Sequence, residues 1–284
     1  MLPESVVAMI PHRPPAFDIA GPIALNACVL LPDHTTPMTS RRLYIDQPLT
    51  AGQTLFIDGE PARYIGRVLR CRPGQTIVLF DGGGSEFPSV IETIARKGIT
   101  FRIGDAVHRN VESPLALRLM QGLSRGERMD TVIQKATELG VHRLSPLDCE
   151  FSVVHLDDRR ADRRTRHWRG ICQSACEQCG RNTLPVLDAP ATFAGAIADS
   201  GGQATRLLLH PGAAQSMQDI APSTEVTLLI GPEGGFSNSE LAQADEAGFK
   251  RVSLGPRTLR TETAAIAAIA LAQALWGDLS VSGH

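Results

Sequence analysis

The segment Leu228-Leu-Ile-Gly-Pro-Glu-Gly-Gly-Phe236 predicts the architecture of most of the chain. It is an apolar run that ends abruptly in a glycine-rich loop, and a helical pattern begins at Ser237. Glu240 completes an S-x-x-E capping box with Ser237, while Phe236 and Leu241 have the spacing of a hydrophobic staple. A strand, a loop and a helix in this order form the unit of a parallel α/β sheet, which binds ligands beyond the carboxyl ends of its strands. The alternative is an ordinary strand–turn–helix junction, since the loop is neither G-x-G-x-x-G nor a P-loop.

A second loop repeats this design further along the chain. The apolar residues Val252–Leu254 end in Gly255-Pro-Arg-Thr-Leu-Arg-Thr-Glu-Thr263, and an alanine-rich helix with the composition of a closely packed element follows. If the two parallel strands are neighbours, both loops converge at one edge of the sheet. The second loop carries polar side chains that are costly to bury without partners, and so indicates a ligand or a partner subunit. They are Arg257, Arg260, Thr261, Glu262 and Thr263.

The regions before these loops predict two modules and an N-terminal extension. From residue 115 onward strands alternate with helices, which indicates a mostly parallel α/β sheet. Residues 41–109 show short strands and glycine turns, as in a small β-barrel or sandwich, with one helix near residues 63–69. Residues 1–40 are proline-rich, and we expect either a disordered extension or an annotation artefact, with translation starting at Met38 in the second case. The predicted domains are therefore 1–39, 40–112 and 113–284.

In the region from residue 115 onward, strands are predicted over 115–122, 141–147, 207–209, 226–230 and 252–254. Helices are predicted over 127–139, 158–180, 239–247 and 263–276.

The composition is that of a globular protein and leaves the partner open. The chain has 284 residues, 43% hydrophobic and 20% charged, with a formal net charge of −2. This average gives no sign of nucleic-acid binding, but residues 41–109 hold ten basic and seven acidic residues. All but three of the 28 basic residues are arginine, which suits phosphate recognition or reflects a GC-rich genome. With six cysteines and no apolar run of about 20 residues, we expect a reduced cytoplasmic protein with no membrane contact.

The cysteines Cys172, Cys176 and Cys179 have two interpretations. The C-x-x-C spacing of the last two suits a metal or redox site. All three also lie on one helical stripe with Trp168, and free cysteine packs there as a small hydrophobe. We favour the packing interpretation and predict no metal. The other face of this helix carries Gln173, Glu177 and Arg181.

Several motifs in one order resemble the RsmE family of SPOUT methyltransferases, over about residues 41–278. The matching segments are Arg41–Tyr44, Ile65–Arg70, Leu79–Gly82, Ser124–Glu127, Gln134–Lys135, Glu138–Gly140, Ala175–Arg181, Leu229–Gly235 and Leu254–Thr263. The chain departs from the family pattern in the extension before Met38 and in Cys179.

The resemblance implies a fold, a cofactor and an assembly. The fold is a PUA-like β-barrel followed by an α/β SPOUT domain with a deep trefoil knot, and the chain is a homodimer. The activity is S-adenosylmethionine-dependent methylation of N3 of a uridine in the 16S ribosomal RNA of the small subunit. The resemblance assigns twelve cofactor-binding residues: Leu229, Ile230, Gly231, Glu233, Gly234, Gly235, Leu254, Gly255, Leu259, Arg260, Thr261 and Thr263.

Catalytic and RNA-binding residues follow from the same resemblance. Arg260 is the candidate for stabilising charge on the uracil ring. Glu262 would orient Arg260 or act as the base, and Glu177 is the other candidate base. The candidates for RNA binding are Arg41, Arg42, Arg67, Arg70, Arg125, Lys135, Arg181 and Asn182.

Three other functions stay open at this point. The chain could be a non-catalytic RNA-binding or ribosome-assembly factor, although its intact loops argue against a lost cofactor site. A phosphotransferase would need a lysine near the loops, and the sequence has none there. The sequence is also compatible with a methyltransferase that acts on another base or RNA.

Overall fold

The protein is described from a computed structural model, over residues 41–63, 65–66, 70–155, 157–199, 202 and 204–279. The predicted extension over residues 1–39, the proposed start at Met38 and the RNA-binding candidate Arg67 lie outside these described residues. We call residues 41–112 the N-terminal module and residues 113–279 the C-terminal module.

The N-terminal module contains one six-stranded sheet of mixed direction, in the order β1-β3-β4-β5-β2 with β6 paired to β4. Its hydrophobic core includes the buried side chains of Ile65, Leu79, Ile91 and Phe101. The predicted helix near residue 63 starts earlier, at Gly59. The elements are β1 (Arg42–Tyr44), β2 (Thr54–Ile57), α1 (Gly59–Arg63), β3 (Thr76–Phe80), β4 (Ser85–Ala95), β5 (Gly98–Arg102) and β6 (Val107–His108).

The C-terminal module contains an eight-stranded sheet in which every strand pair is parallel, as the alternating pattern predicts. The strands are β7 (Ala116–Gly122), β8 (Arg143–Asp148), β9 (Val186–Leu187), β10 (Ala191–Thr192), β11 (Thr205–Leu209), β12 (Gln215–Ser216), β13 (Glu225–Ile230) and β14 (Lys250–Ser253). The helices are α2 (Glu127–Glu138), α3 (Asp158–Cys179), α4 (Phe193–Ala198), α5 (Asn238–Glu246) and α6 (Thr261–Trp276).

The sheet order corrects one expectation. The strands that precede the two loops, β13 and β14, are separated by β11 and are not neighbours. Because all three are parallel, their carboxyl ends still meet at one edge of the sheet. The segment after β11 therefore becomes a third element of the site.

Local sequence signals are reproduced in detail. Ser237 caps α5, and the reciprocal bonds with Glu240 form the predicted capping box. Gly140 follows α2 with a φ of +79°, a conformation that glycine adopts without a steric penalty. The apolar stripe of α3 is also confirmed, because Trp168, Cys172 and Cys176 are buried in the core.

No metal-binding cluster was found among the described residues, in the sense of three or more His, Cys, Asp or Glu side chains placed to hold an ion. Burial raises the pKa of the Cys176 thiol to about 12, which keeps it protonated and unreactive. Of the helices described, none is long and apolar enough to cross a bilayer.

Candidate active site

A cavity of about 550 Å³ lies at the carboxyl ends of β11, β13 and β14. This volume is within the usual range for a small-molecule site, roughly 300–1,000 Å³. Apolar residues such as Ile230, Val252 and Leu254 form part of the wall, while polar side chains come from the loop before α6. The position agrees with the general rule for parallel sheets.

Nine of the twelve predicted cofactor residues line this cavity, as do the catalytic candidates Arg260 and Glu262. The nine residues are Ile230, Gly231, Glu233, Gly235, Leu254, Gly255, Leu259, Arg260 and Thr261.

Leu229, Gly234 and Thr263 do not line the cavity, and geometry explains each. Side chains alternate along a strand, so Leu229 points to the core beneath α4 and α5 while Ile230 faces the other side. Gly234 packs on Phe151, whose Cβ would lie 2.7 Å from a Cβ added to the glycine. Thr263 is exposed on α6.

Sequence reasoning missed three cavity residues at the end of β11 and directly after it. Leu209, His210 and Pro211 line the wall between the two predicted loops. The missed signal was the turn Pro211-Gly212, directly after a short buried strand. The same reasoning that selected the segments after residues 230 and 254 would have selected this one.

One buried hydrogen-bond network joins the two predicted loops. The Thr261 hydroxyl donates to the Gly231 carbonyl at 2.6 Å and accepts from Gln121 Nε2 at 2.9 Å. Gln121, at the end of β7, is itself fully buried. Gly122 follows it against Pro232, where an added Cβ would lie only 2.4 Å from the proline nitrogen. The relative position of the loops is therefore fixed by β7.

Glu233 anchors the rim of the cavity to α2. Its carboxylate accepts from Arg128 Nη1 at 2.6 Å and from the Arg125 amide at 3.2 Å. Partial burial acts to raise the pKa of Glu233, but hydrogen bonds from its own amide, Arg128 and Arg125 outweigh this and lower it. Glu233 is thus held ionised, as a structural rather than a proton-transferring carboxylate.

Glu262 and Arg260 face the cavity without binding each other. Glu262 Oε2 is buried and has no hydrogen-bond partner, so a polar group of a ligand would have an acceptor there. Within the described residues, the Arg260 guanidinium makes no ion pair. The expectation that Glu262 orients Arg260 is therefore not met by a direct bond.

The structure does not bring Glu177 to this cavity. Its Oε1 accepts from the Tyr44 amide at 3.0 Å, where α3 meets β1 of the N-terminal module. Burial raises the pKa of Glu177, although the bond from Tyr44 and the charge of Arg42 act in the opposite direction. This carboxylate joins the modules in the described chain, and its role as a base stays a prediction.

Three RNA-binding candidates are likewise buried where the modules meet. Arg181 and Asn182 are only 3% and 2% exposed. Arg181 donates to Glu112 at 2.6 Å and to the carbonyls of Thr137 and Val141. We call this contact region, together with Glu177 and Arg42, the junction.

Arg42 completes the junction from the side of β1. It donates to Asn182 Oδ1 at 2.6 Å and forms an ion pair with Glu86, while its guanidinium stacks over Phe80. The Arg42 side chain is only 8% exposed, and its Nε, which has no hydrogen-bond partner, is buried away from solvent. Arg42, Arg181 and Asn182 therefore lie in contacts between the modules and not on an open surface, and their contact with RNA stays a prediction.

Four candidates remain on the surface. Arg41, Arg70 and Arg125 are exposed, and Lys135 is half-exposed beside Glu138. Arg70 has a φ of +50°, which is unusual for a residue with a side chain.

Comparison with known proteins identifies the family. An RNA methyltransferase domain model matches residues 111–273, more than half of the chain, and an RNA methyltransferase PUA domain model matches residues 57–104. A ribosomal RNA small subunit methyltransferase E from Buchnera aphidicola subsp. Schizaphis graminum is 35% identical, over 84% of this chain and 98% of the relative.

Solved structures agree with this match. The putative methyltransferase Lpg2936 of Legionella pneumophila, in complex with the cofactor SAM, is 39% identical with a TM-score of 0.81, over 84% of this chain and 99% of that one. A ribosomal RNA small subunit methyltransferase E from Neisseria gonorrhoeae, bound to S-adenosyl methionine, is 38% identical with a TM-score of 0.79, over 85% and 100%. The chain belongs to the ribosomal RNA small subunit methyltransferase E family, the RsmE family that its motifs resemble.

Proposed function

We propose that the protein transfers a methyl group from S-adenosylmethionine to N3 of a uridine in 16S ribosomal RNA, in the cytoplasm. The observation that carries this proposal is the cavity at the ends of β11, β13 and β14. It is formed by the same loops that the family motifs identify, and two relatives of high similarity are crystallised with this cofactor.

The residues present fit the cofactor. The apolar strand ends offer a dry wall for adenine. A Cβ at Gly231 would lie 3.3 Å from the Gly235 Cα, so glycine lets this loop fold tightly on itself at the cavity. The N-cap residue of α6, Arg260, makes no side-chain bond to the first-turn amides, which leaves them available for a carboxylate. The bound cofactor supplies an electrophilic methyl group on a sulfonium.

The chain's own residues must prepare the uracil for this transfer. N3 carries a proton and its lone pair is delocalised, so the proton has to leave before or during attack. In our proposal Glu262 accepts that proton, because its carboxylate lines the cavity and its Oε2 has no hydrogen-bond partner among the described residues. Arg260 then stabilises the negative charge that develops on the ring.

Modified-nucleoside mapping tests the function directly. A strain that lacks this gene should lose one 3-methyluridine from its 16S ribosomal RNA, and expression of the protein should restore it. The methyl group blocks base pairing at N3, so primer extension should stop at the site in wild-type RNA only. Unchanged modification in the deletion strain would contradict the proposal, and loss of a different methylated base would favour the other methyltransferase alternative.

Two amide variants test whether Glu262 or Glu177 acts as the base. We expect Glu262→Gln to lower kcat by about a hundredfold or more, the usual scale for losing a general base, with little change in cofactor affinity. Glu177→Gln keeps an oxygen acceptor for the Tyr44 amide and should retain nearly wild-type kcat. Single-turnover rates and calorimetry with S-adenosylmethionine provide both readouts. Near-normal turnover in both variants would exclude a carboxylate base at either position.

We also propose that the chain is a homodimer with a trefoil knot, as the family resemblance implies. We likewise propose domain boundaries at 39/40 and 112/113. Light scattering of the purified protein measures the oligomeric state, and a monomer at micromolar concentration would contradict the dimer.

A further inference from the structure

The exposed side of the N-terminal half of α3 carries a cluster of arginines that the site described above does not use. Residues 157–169 contain six arginines and three aspartates. Five of the arginines are exposed: Arg159, Arg160, Arg163, Arg166 and Arg169. We call these five the arginine face.

Neighbouring acids do not neutralise the arginine face. Among the described ion pairs, its members take part in one, between Arg160 and Asp157. Arg159, Arg163 and Arg166 follow each other at four- and three-residue spacing, so like charges stack along one side of the helix. Arg159 also lies in the first turn of the helix, where the macrodipole disfavours cations. This arrangement costs stability in the free protein and would be relieved by an anionic ligand.

Two packed helices lie between the arginine face and the rim of the cavity. On α2, Arg128 lines the cavity and binds Glu233. Two residues later, Asp130 accepts from Trp168 Nε1 of α3 at 3.0 Å and lies 2.8 Å from His167 Nε2. The first turn of α2 therefore touches the cavity rim on one side and α3 on the other. Trp168 lies on the opposite side of α3 from Arg159, Arg163 and Arg166, so the widths of both helices, on the order of 20 Å together, separate the arginine face from the rim.

We propose that the arginine face binds the phosphate backbone of the RNA strand whose nucleotide enters the cavity. The inference rests on the proposed function and extends it with a second anchoring surface beyond Arg41, Arg70 and Arg125. A guanidinium group can form two parallel hydrogen bonds with the oxygens of one phosphate. A row of guanidinium groups without acidic partners therefore matches the row of phosphates along an RNA strand.

The test replaces Arg163 and Arg166 by glutamine. Binding to an unmodified 16S ribosomal RNA transcript is measured by filter binding between about 50 and 300 mM salt, where the Debye length is on the order of 10 Å. We expect affinity to fall roughly tenfold, and the slope of log K against log salt to fall by about 0.7 for each phosphate that is no longer neutralised. Calorimetry should give unchanged affinity for S-adenosylmethionine, and the melting temperature should stay the same or rise.

Matched variants distinguish the effect of the arginine face on RNA affinity from the effect of the total charge. Arg143→Gln with Arg251→Gln removes the same charge at the amino ends of β8 and β14, the sheet edge opposite the cavity, and should leave the salt slope unchanged. Arg163→Lys with Arg166→Lys should retain most of the slope.

The outcomes distinguish this inference from the proposed function. If the wild-type protein restores 3-methyluridine but the glutamine pair binds RNA with wild-type affinity and slope, the arginine face is not an RNA surface. An equal loss with the control pair would show a general charge effect and would also overturn it. If the wild-type protein forms no 3-methyluridine, the proposed function itself fails.

Discussion

Replacing Arg181 by methionine is expected to lower the free energy of unfolding by about 3–5 kcal/mol, the scale for removing one partner of a buried ion pair. The side chain is 4% exposed, and its loss leaves Glu112 without its cation. The carbonyls of Thr137 and Val141 also lose a donor in a buried region, where unsatisfied acceptors are costly. The effect should appear as a drop in melting temperature of roughly 10 °C.

Two controls separate this structural role from RNA contact. Arg125→Met removes the same charge from an exposed position and should change stability by no more than about 0.5 kcal/mol. Glu112→Gln keeps an acceptor for Arg181 and should cost less than Arg181→Met. If Arg181→Met instead melted at the wild-type temperature and lost only RNA affinity, the buried role that we assign to it would be wrong.

The junction shows why sequence reasoning placed these arginines on the surface. Gln173, Glu177 and Arg181 recur at helical spacing, which predicts a polar face and, by itself, a solvated one. The partner of that face is β1, more than 130 residues earlier in the chain. Nothing local to α3 signals the contact, since a polar face packed against polar partners has the same pattern as one in water.

The loops were predictable for the opposite reason, because their signals are local. A buried strand, a Gly-Pro turn and a capped helix are all encoded within about fifteen residues around Gly231. The capping box and the boundaries of α2, α3, α5 and α6 followed within one or two residues. By contrast, α4 was not predicted, and α1 ends where the predicted helix near residues 63–69 begins. The error concerned β11, which lies between β13 and β14 although nothing in the two loop sequences indicates an intervening strand.

Replacing Arg260 by alanine is expected to lower kcat by about a hundred- to a thousandfold, the scale for removing one group that stabilises developing charge. Arg260 lines the cavity at the start of α6, and its guanidinium makes no ion pair within the described chain. Arg260 is exposed at this partly apolar cavity, and a cation there acts on charge that exists only as N3 loses its proton. The interaction therefore belongs to the transition state, so kcat should fall while KM for both substrates changes little.

Two further variants serve as controls for this expectation. Arg260→Lys keeps the charge and should recover part of the loss, whereas Arg251→Ala removes an arginine that binds Asp245 away from the cavity and should leave kcat unchanged. Steady-state kinetics with 16S ribosomal RNA provides both parameters. If Arg260→Ala raised KM for S-adenosylmethionine at constant kcat, the guanidinium would bind the cofactor's carboxylate in the ground state. In that case the charge on the uracil ring would need another stabilising group, and Arg257 of the same cavity would be the first candidate.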